Sequence, residues 1–108
     1  MTARELATAR AAIAALPLAD RALLARHGLR VELVPRQSLG QGMLGATLIT
    51  RGADDRLAPT SIRIASRATG PGPEALREVV QHEIGHAISV LRRQDRSEDA
   101  AAQYALDH

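Results

Sequence analysis

An α+β fold is what this sequence predicts: a small, three-stranded, mainly antiparallel sheet packed on one long helix, with further helices at both ends. Three observations predict it. Apolar residues recur at helical spacing near both ends of the chain, in 2–27 and again in 73–106. Between them, 29–34, 46–50 and 61–65 have the length and composition of strands. Strands grouped between helices argue for an α+β arrangement. At 108 residues the chain is expected to be a single domain, 1–108, with one modest core.

The elements follow in order. Thr2-Ala3-Arg4-Glu5 matches a capping box with Thr2 as N-cap, and Leu6, Ala9, Ile13 and Leu16 form an apolar stripe that Pro17 ends. A second helix runs from Leu18 to His27 with Leu23 and Leu24 facing inward, and Gly28 suits the position just past its end. His27 reads as a surface residue complementing the helix dipole. Residues 29–34 alternate as a half-buried strand that Pro35 ends. Gly40, Gly42 and Gly45 mark a loop; their spacing imitates part of a dinucleotide fingerprint but precedes a strand, which discards that reading. A strand over 46–50, a turn over 52–59 and a strand over 61–65 complete the sheet.

Composition narrows the function classes. The chain has one Tyr, no Phe, no Trp and no Cys, so its core is aliphatic and neither a disulfide nor a thiolate metal site is possible. All fourteen basic residues are Arg, twelve acids offset them, and no Arg run exceeds Arg92-Arg93, which is not a nucleic-acid footprint. The absence of Lys and Asn beside abundant Ala and Arg suggests a GC-rich bacterial genome. No apolar run is long enough to span a membrane, and no signal-peptide core is present. The expected setting is the cytoplasm, export without a Sec signal, or a place within a longer protein; the expected state is a monomer.

The chemistry sits in His82-Glu83-Ile84-Gly85-His86, an H-E-x-x-H motif. It needs a helix, and 73–92 supplies one: Pro73 suits the first position, Glu74 and Arg92-Arg93 complement the dipole, and Leu76, Val80, Ile84, Ala87 and Leu91 form an apolar stripe. Positions i and i+4 share a face, so His82 and His86 can aim two imidazoles at one zinc ion. Glu83 falls where its carboxylate reaches a water on that ion, as a general base requires. Val79, Glu83, His86 and Val90 trace a second stripe beside them, which makes the helix buried on one face and site-lining on the other. Gly85, costing up to about 1 kcal/mol against Ala in a helix interior, suggests that another backbone or a substrate comes close there. The competing reading is a chance match, with two surface His flanking a salt-bridging Glu.

A catalytic zinc usually has three protein ligands. Ser89 and Arg92 exclude the pattern in which a third His follows on the same segment. Glu98 and Asp99 are the acids that open the next helix, 97–106, with Ser97 or Asp95 as N-cap. Six residues of helix beyond His86 span about 9 Å, so the chain must come back that far; this favours a ligand slightly later than Glu98 unless the motif helix frays early. Asp99, or no third ligand in this chain, stay open beside Glu98. Tyr104 reads as a core-edge residue and His108 as a frayed terminal one.

His82-Glu83-Ile84-Gly85-His86-Ala87-Ile88, followed by Ser97-Glu98-Asp99-Ala100-Ala101-Ala102-Gln103-Tyr104-Ala105, resembles the Glu-ligand zincin metallopeptidases. Within that class it is most similar to the anthrax lethal factor C-terminal domain and the bacterial Pro-Pro endopeptidases. The resemblance spans about 16–106 and implies a zincin-like domain with His82, His86 and Glu98 as zinc ligands and Glu83 as catalytic base. The family's Phe and second Glu are Ala100 and Ala102 here, the gap from His86 to Glu98 is shorter, and the family's catalytic Tyr has no counterpart. The expected function is zinc-dependent endopeptidase action on a peptide or protein substrate, in a toxin-like effector domain, with strand 46–50 pairing the substrate. The rival expectation is a catalytically inactive zincin-like module that binds a partner protein.

Overall fold

The structure, a computed structural model, describes residues 3–40, 42–66 and 73–108. Among the described residues, four helices accompany a three-stranded sheet: α1 (Ala3–Ala14), α2 (Leu18–Arg26), β1 (Val31–Val34), a 3-10 turn (Arg36–Ser38), β2 (Gly45–Arg51), β3 (Leu57–Ala65), α3 (Pro73–Arg93) and α4 (Glu98–Asp107). The expected α+β class and element order hold. The expected N-cap Thr2 lies outside the described residues.

The N-terminal helices follow local rules. α1 stops at Ala14, ahead of Leu16, because the residue before a proline is pushed out of the helical region. Pro17 itself opens α2, accepting from the backbone N–H of Asp20 and Arg21. At the other end of α2, Gly28 takes the left-handed conformation (φ 65°) that a C′ position needs. His27 is exposed, as expected.

The sheet departs from the mainly antiparallel expectation. Its order is β1-β3-β2, with β2 antiparallel and β1 parallel to β3. The reason lies in the connection 35–44. It leaves the end of β1 and starts β2 at the same end of the sheet, where Leu44 O and Val34 O accept from the N–H groups of Ala65 and Ser66. β1 and β2 therefore run in opposite directions with a gap between them. β3 returns from the 52–56 turn into that gap and meets one neighbour of each sense. β3 also begins earlier than expected, at Leu57, with Pro59 inside it. A bulge accommodates the proline: Leu48 pairs with Ser61 and Ile49 with Pro59, leaving Thr60 as the extra residue, so no ladder donor is demanded of Pro59.

The core is aliphatic. Ile62 and Ile64 on β3 pack against Val80, Ile84 and Ala87 on α3, all at 0% exposure, and α1 adds Ala9 and Ala12. Each fully buried Ile or Val contributes about 1.5–3 kcal/mol, which lets a core without Phe or Trp hold the fold. The core face of α3 is buried as expected, and its second face is largely covered too. From Val80 to Ile88 only His82 escapes burial, because β2 and α4 cover the second stripe as well. Gly85 explains itself here. A Cβ at Gly85 would lie 2.9 Å from Ala101 O and 3.1 Å from Ala101 Cα, so α4 crosses α3 backbone to backbone at this point. Among the described residues no helix is long and apolar enough to cross a membrane.

Candidate metal centre

α3 positions both imidazoles. His82 and His86 lie one turn apart with ring centroids 5.0 Å apart, set nearly perpendicular at 83°. The His86 side chain is 10% exposed and that of His82 31%, so one ring is sunk in the protein and the other forms the rim.

The turn after α3 brings in the third group. Gln94 takes the left-handed conformation (φ 55°) and its N–H bonds Val90 O at 2.9 Å, ending the helix in an αL cap. Its side chain then grips the start of β3: Oε1 accepts from Leu57 N–H at 2.6 Å and Nε2 donates to Leu57 O at 2.8 Å. Asp95 Oδ1 accepts from Ser97 N–H at 2.9 Å, and Ser97 Oγ caps α4 by accepting from Ala100 N–H at 3.2 Å. Ser97 is thus the N-cap, and Asp95 supports it.

Glu98 opens α4 and reaches both rings. His82 Nε2 donates to Glu98 Oε2 at 2.8 Å, and His86 Nε2 faces Glu98 Oε1 at 3.2 Å. The expected need for α3 to fray early is overturned, since α3 runs intact to Arg93. Residues 94–97 lie outside any helix: Gln94 turns the chain back against the end of α3, where Asp95 N–H bonds Ser89 O, and Ser97 is extended, which brings Glu98 back to the imidazoles without a helical return. Asp99, the alternative ligand, is exposed and takes no part in this group.

The donor set suits a metal ion. His82, His86 and Glu98 each offer one ligand atom, all within 4.8 Å of one another. Donors placed tetrahedrally at zinc distances lie roughly 3.3 Å apart, and Glu98 lies 2.8 and 3.2 Å from the two imidazole nitrogens. Two imidazoles and one carboxylate are a donor set that zinc accepts. His86 Nδ1 is buried without a hydrogen-bond partner, so packing and whatever its Nε2 meets fix that ring. The Glu98 carboxyl is held below the usual carboxylate range, chiefly by the His82 hydrogen bond; partial burial opposes this, and His86 adds to it.

Glu83 belongs to the same turn of α3 but faces the sheet. It is 9% exposed, and Thr47 on β2 donates its hydroxyl hydrogen between Glu83 O at 2.8 Å and Glu83 Oε1 at 2.9 Å. A Cβ on Gly45 would sit 2.8 Å from Glu83 Cγ and 3.1 Å from Oε2, so the strand leaves room for this carboxylate only where it has no side chain. An open groove runs along β2 over Thr47 and Leu48, past His82, Glu83, His86 and Glu98, with Arg96 on its wall. β2 is an edge strand of the described sheet.

Sequence reasoning missed Thr47 and Gly45. The sequence reading puts Gly45 in a loop and gives Thr47 no role. The register instead places Gly45 opposite Ile64 and Thr47 opposite Ile62, on the side facing α3, and leaves Leu48 44% exposed. A polar Thr between apolar strand neighbours was the available signal. A second cluster was also missed. Asp20, 2% exposed, accepts from the Tyr104 hydroxyl at 2.7 Å and pairs with Arg92. His108, expected to fray, stacks on Tyr104 with ring centroids 4.2 Å apart and donates from Nδ1 to Tyr104 O at 2.9 Å. A carbonyl at the helix end and an aromatic face one turn back give the terminal ring a seat.

Comparison with protein-family models, with curated proteins and with solved structures finds no match for this chain.

Proposed function

We propose that this chain is a zinc-dependent endopeptidase of the Glu-ligand zincin type. One observation carries the reading: two imidazole Nε2 atoms and the Glu98 carboxylate converge while Glu83, one residue from His82, lines the same groove. His82, His86 and Glu98 would hold the ion. Zinc, when bound, acidifies a water molecule and polarises a carbonyl oxygen. Glu83 would take a proton from the attacking water and hand it to the departing amine. Thr47 and Gly45 hold that carboxylate against β2. The free edge of β2 would pair with an extended peptide, so that main-chain hydrogen bonds align the scissile bond along the groove. The resemblance to lethal-factor-like peptidases supports a toxin-like effector role.

One observation favours a second reading, a zincin-like module that binds a partner without cutting it. Tyr104, the chain's one tyrosine, commits its hydroxyl to Asp20 and lines a different cleft from the imidazoles. No tyrosine is therefore placed to stabilise an oxyanion. Protein purified without a His tag should be assayed for zinc and then incubated with a peptide library, with and without chelator. Zinc at one per chain with chelator-sensitive cleavage supports the peptidase. Zinc without cleavage supports the binding module, and no zinc removes both.

A further inference from the structure

Glu83 is held by a single side chain from another element. Thr47 Oγ1 lies 2.8 Å from Glu83 O and 2.9 Å from Glu83 Oε1, one hydroxyl spanning the main chain and side chain of the same residue. This closes a ring that fixes the Glu83 side chain against its own helix turn. A free Glu has three rotatable side-chain bonds, and without a partner its carboxylate disperses among rotamers. The other wall of the holder is Gly45, where a Cβ would press on Glu83 Cγ at 2.8 Å and on Oε2 at 3.1 Å. Both residues come from β2, two positions apart, and so from one face of one strand. The strand that would line up the substrate is thus the strand that seats the base.

Packing alone does not call for a hydroxyl there. Thr47 lies opposite the fully buried Ile62, where the isosteric Val would serve the core equally well. Removing the hydroxyl leaves Glu83 Oε1 without this partner.

We infer that Thr47 is a positioning residue for Glu83, fixing the base through its hydroxyl while Gly45 leaves room for the carboxylate. The inference rests on the peptidase reading for its catalytic consequence, but the anchor itself can be tested without activity. General-base catalysis supplies roughly 10²–10⁴-fold, and misplacing a group by about 1 Å can remove 10²-fold of rate. Thr47→Val should therefore lower kcat roughly 10- to 100-fold with KM and zinc content unchanged. Thr47→Ser, which keeps the hydroxyl, should retain most of the rate. Equal kcat in wild type and Thr47→Val would overturn the proposal. The activity-free arm is a double-mutant cycle on the melting temperature with Thr47→Val, Glu83→Ala and both. Thr47→Val should cost less in the Glu83→Ala background than in wild type. Additive effects overturn the anchor. If wild type cleaves nothing, the peptidase reading fails, and the cycle alone then upholds or overturns the anchor.

Discussion

The Tyr104 hydroxyl donates to Asp20 Oδ2 across 2.7 Å, tying α4 to α2 through a buried acid that also pairs with Arg92 of α3. Three helices meet on one carboxylate, and α4 is the helix that carries Glu98. Tyr104→Phe leaves that oxygen short of a donor and should destabilise the fold by about 1–3 kcal/mol, read from denaturant unfolding.

The same contact sets an alkaline limit. Burial, then the Asp20 hydrogen bond and its charge, push the Tyr104 phenol above the usual tyrosine range. A pKa raised by folding gives stability that is complete below the unfolded value of about 10 and fades as pH rises toward the folded one. The wild-type melting temperature should therefore fall between about pH 9 and pH 11. Tyr104→Phe should show a smaller fall over that span; an identical fall would assign it to other groups.

Gly85→Ala inverts the usual helix rule. In an open helix interior the change would stabilise by up to about 1 kcal/mol. Here the added methyl meets the α4 backbone at Ala101 and Tyr104 Cβ at 3.0 Å. The variant should lose about 1–3 kcal/mol and bind zinc more weakly, because α4 must shift with Glu98 on it. Calorimetry with and without zinc reads both effects.

Much of this was legible in the sequence. The H-E-x-x-H helix, Gly28 as a left-handed cap and Gly85 as a close-approach site all follow from local rules applied to named residues. The parallel β1–β3 pair was not legible, because strand direction depends on where the 35–44 connection crosses and no local preference encodes that. Pro59 hid the start of β3, since only the bulge at the neighbouring Thr60 makes a proline tolerable there. Asp20 lies far along the chain from Arg92, Tyr104 and His108, and nothing in periodicity pairs it with them. Glu98 was reached by motif and resemblance against a geometric objection. The objection failed because it took the return to be helical in rise, whereas 94–97 lie outside any helix and the chain turns back at Gln94.

Glu83 and His82 should separate by role. Glu83→Gln should keep zinc and lose cleavage, since an amide cannot take the proton; His82→Ala should lose both. Zinc analysis and peptide cleavage on the two variants decide this. A fully active Glu83→Gln would contradict the mechanism.

Chelation should lower the melting temperature, because a ligand bound only by the folded state stabilises it by mass action. The drop should be larger at pH 7 than at pH 5. Zinc needs neutral imidazoles, whose ordinary pKa is about 6.5, so protonation already weakens the metal at the lower pH. Scanning calorimetry at both values, with and without chelator, checks the sign.

The central claim is that Glu98 completes a zinc site with His82 and His86, and zinc titration of wild type, Glu98→Ala and Asp99→Ala tests it most directly. Wild type and Asp99→Ala should bind one zinc with similar affinity. Glu98→Ala should bind far more weakly, having two ligands instead of three, and Glu98→Asp should fall between because its carboxylate is one methylene shorter. Undiminished zinc binding by Glu98→Ala, or loss of zinc in Asp99→Ala alone, would contradict the account.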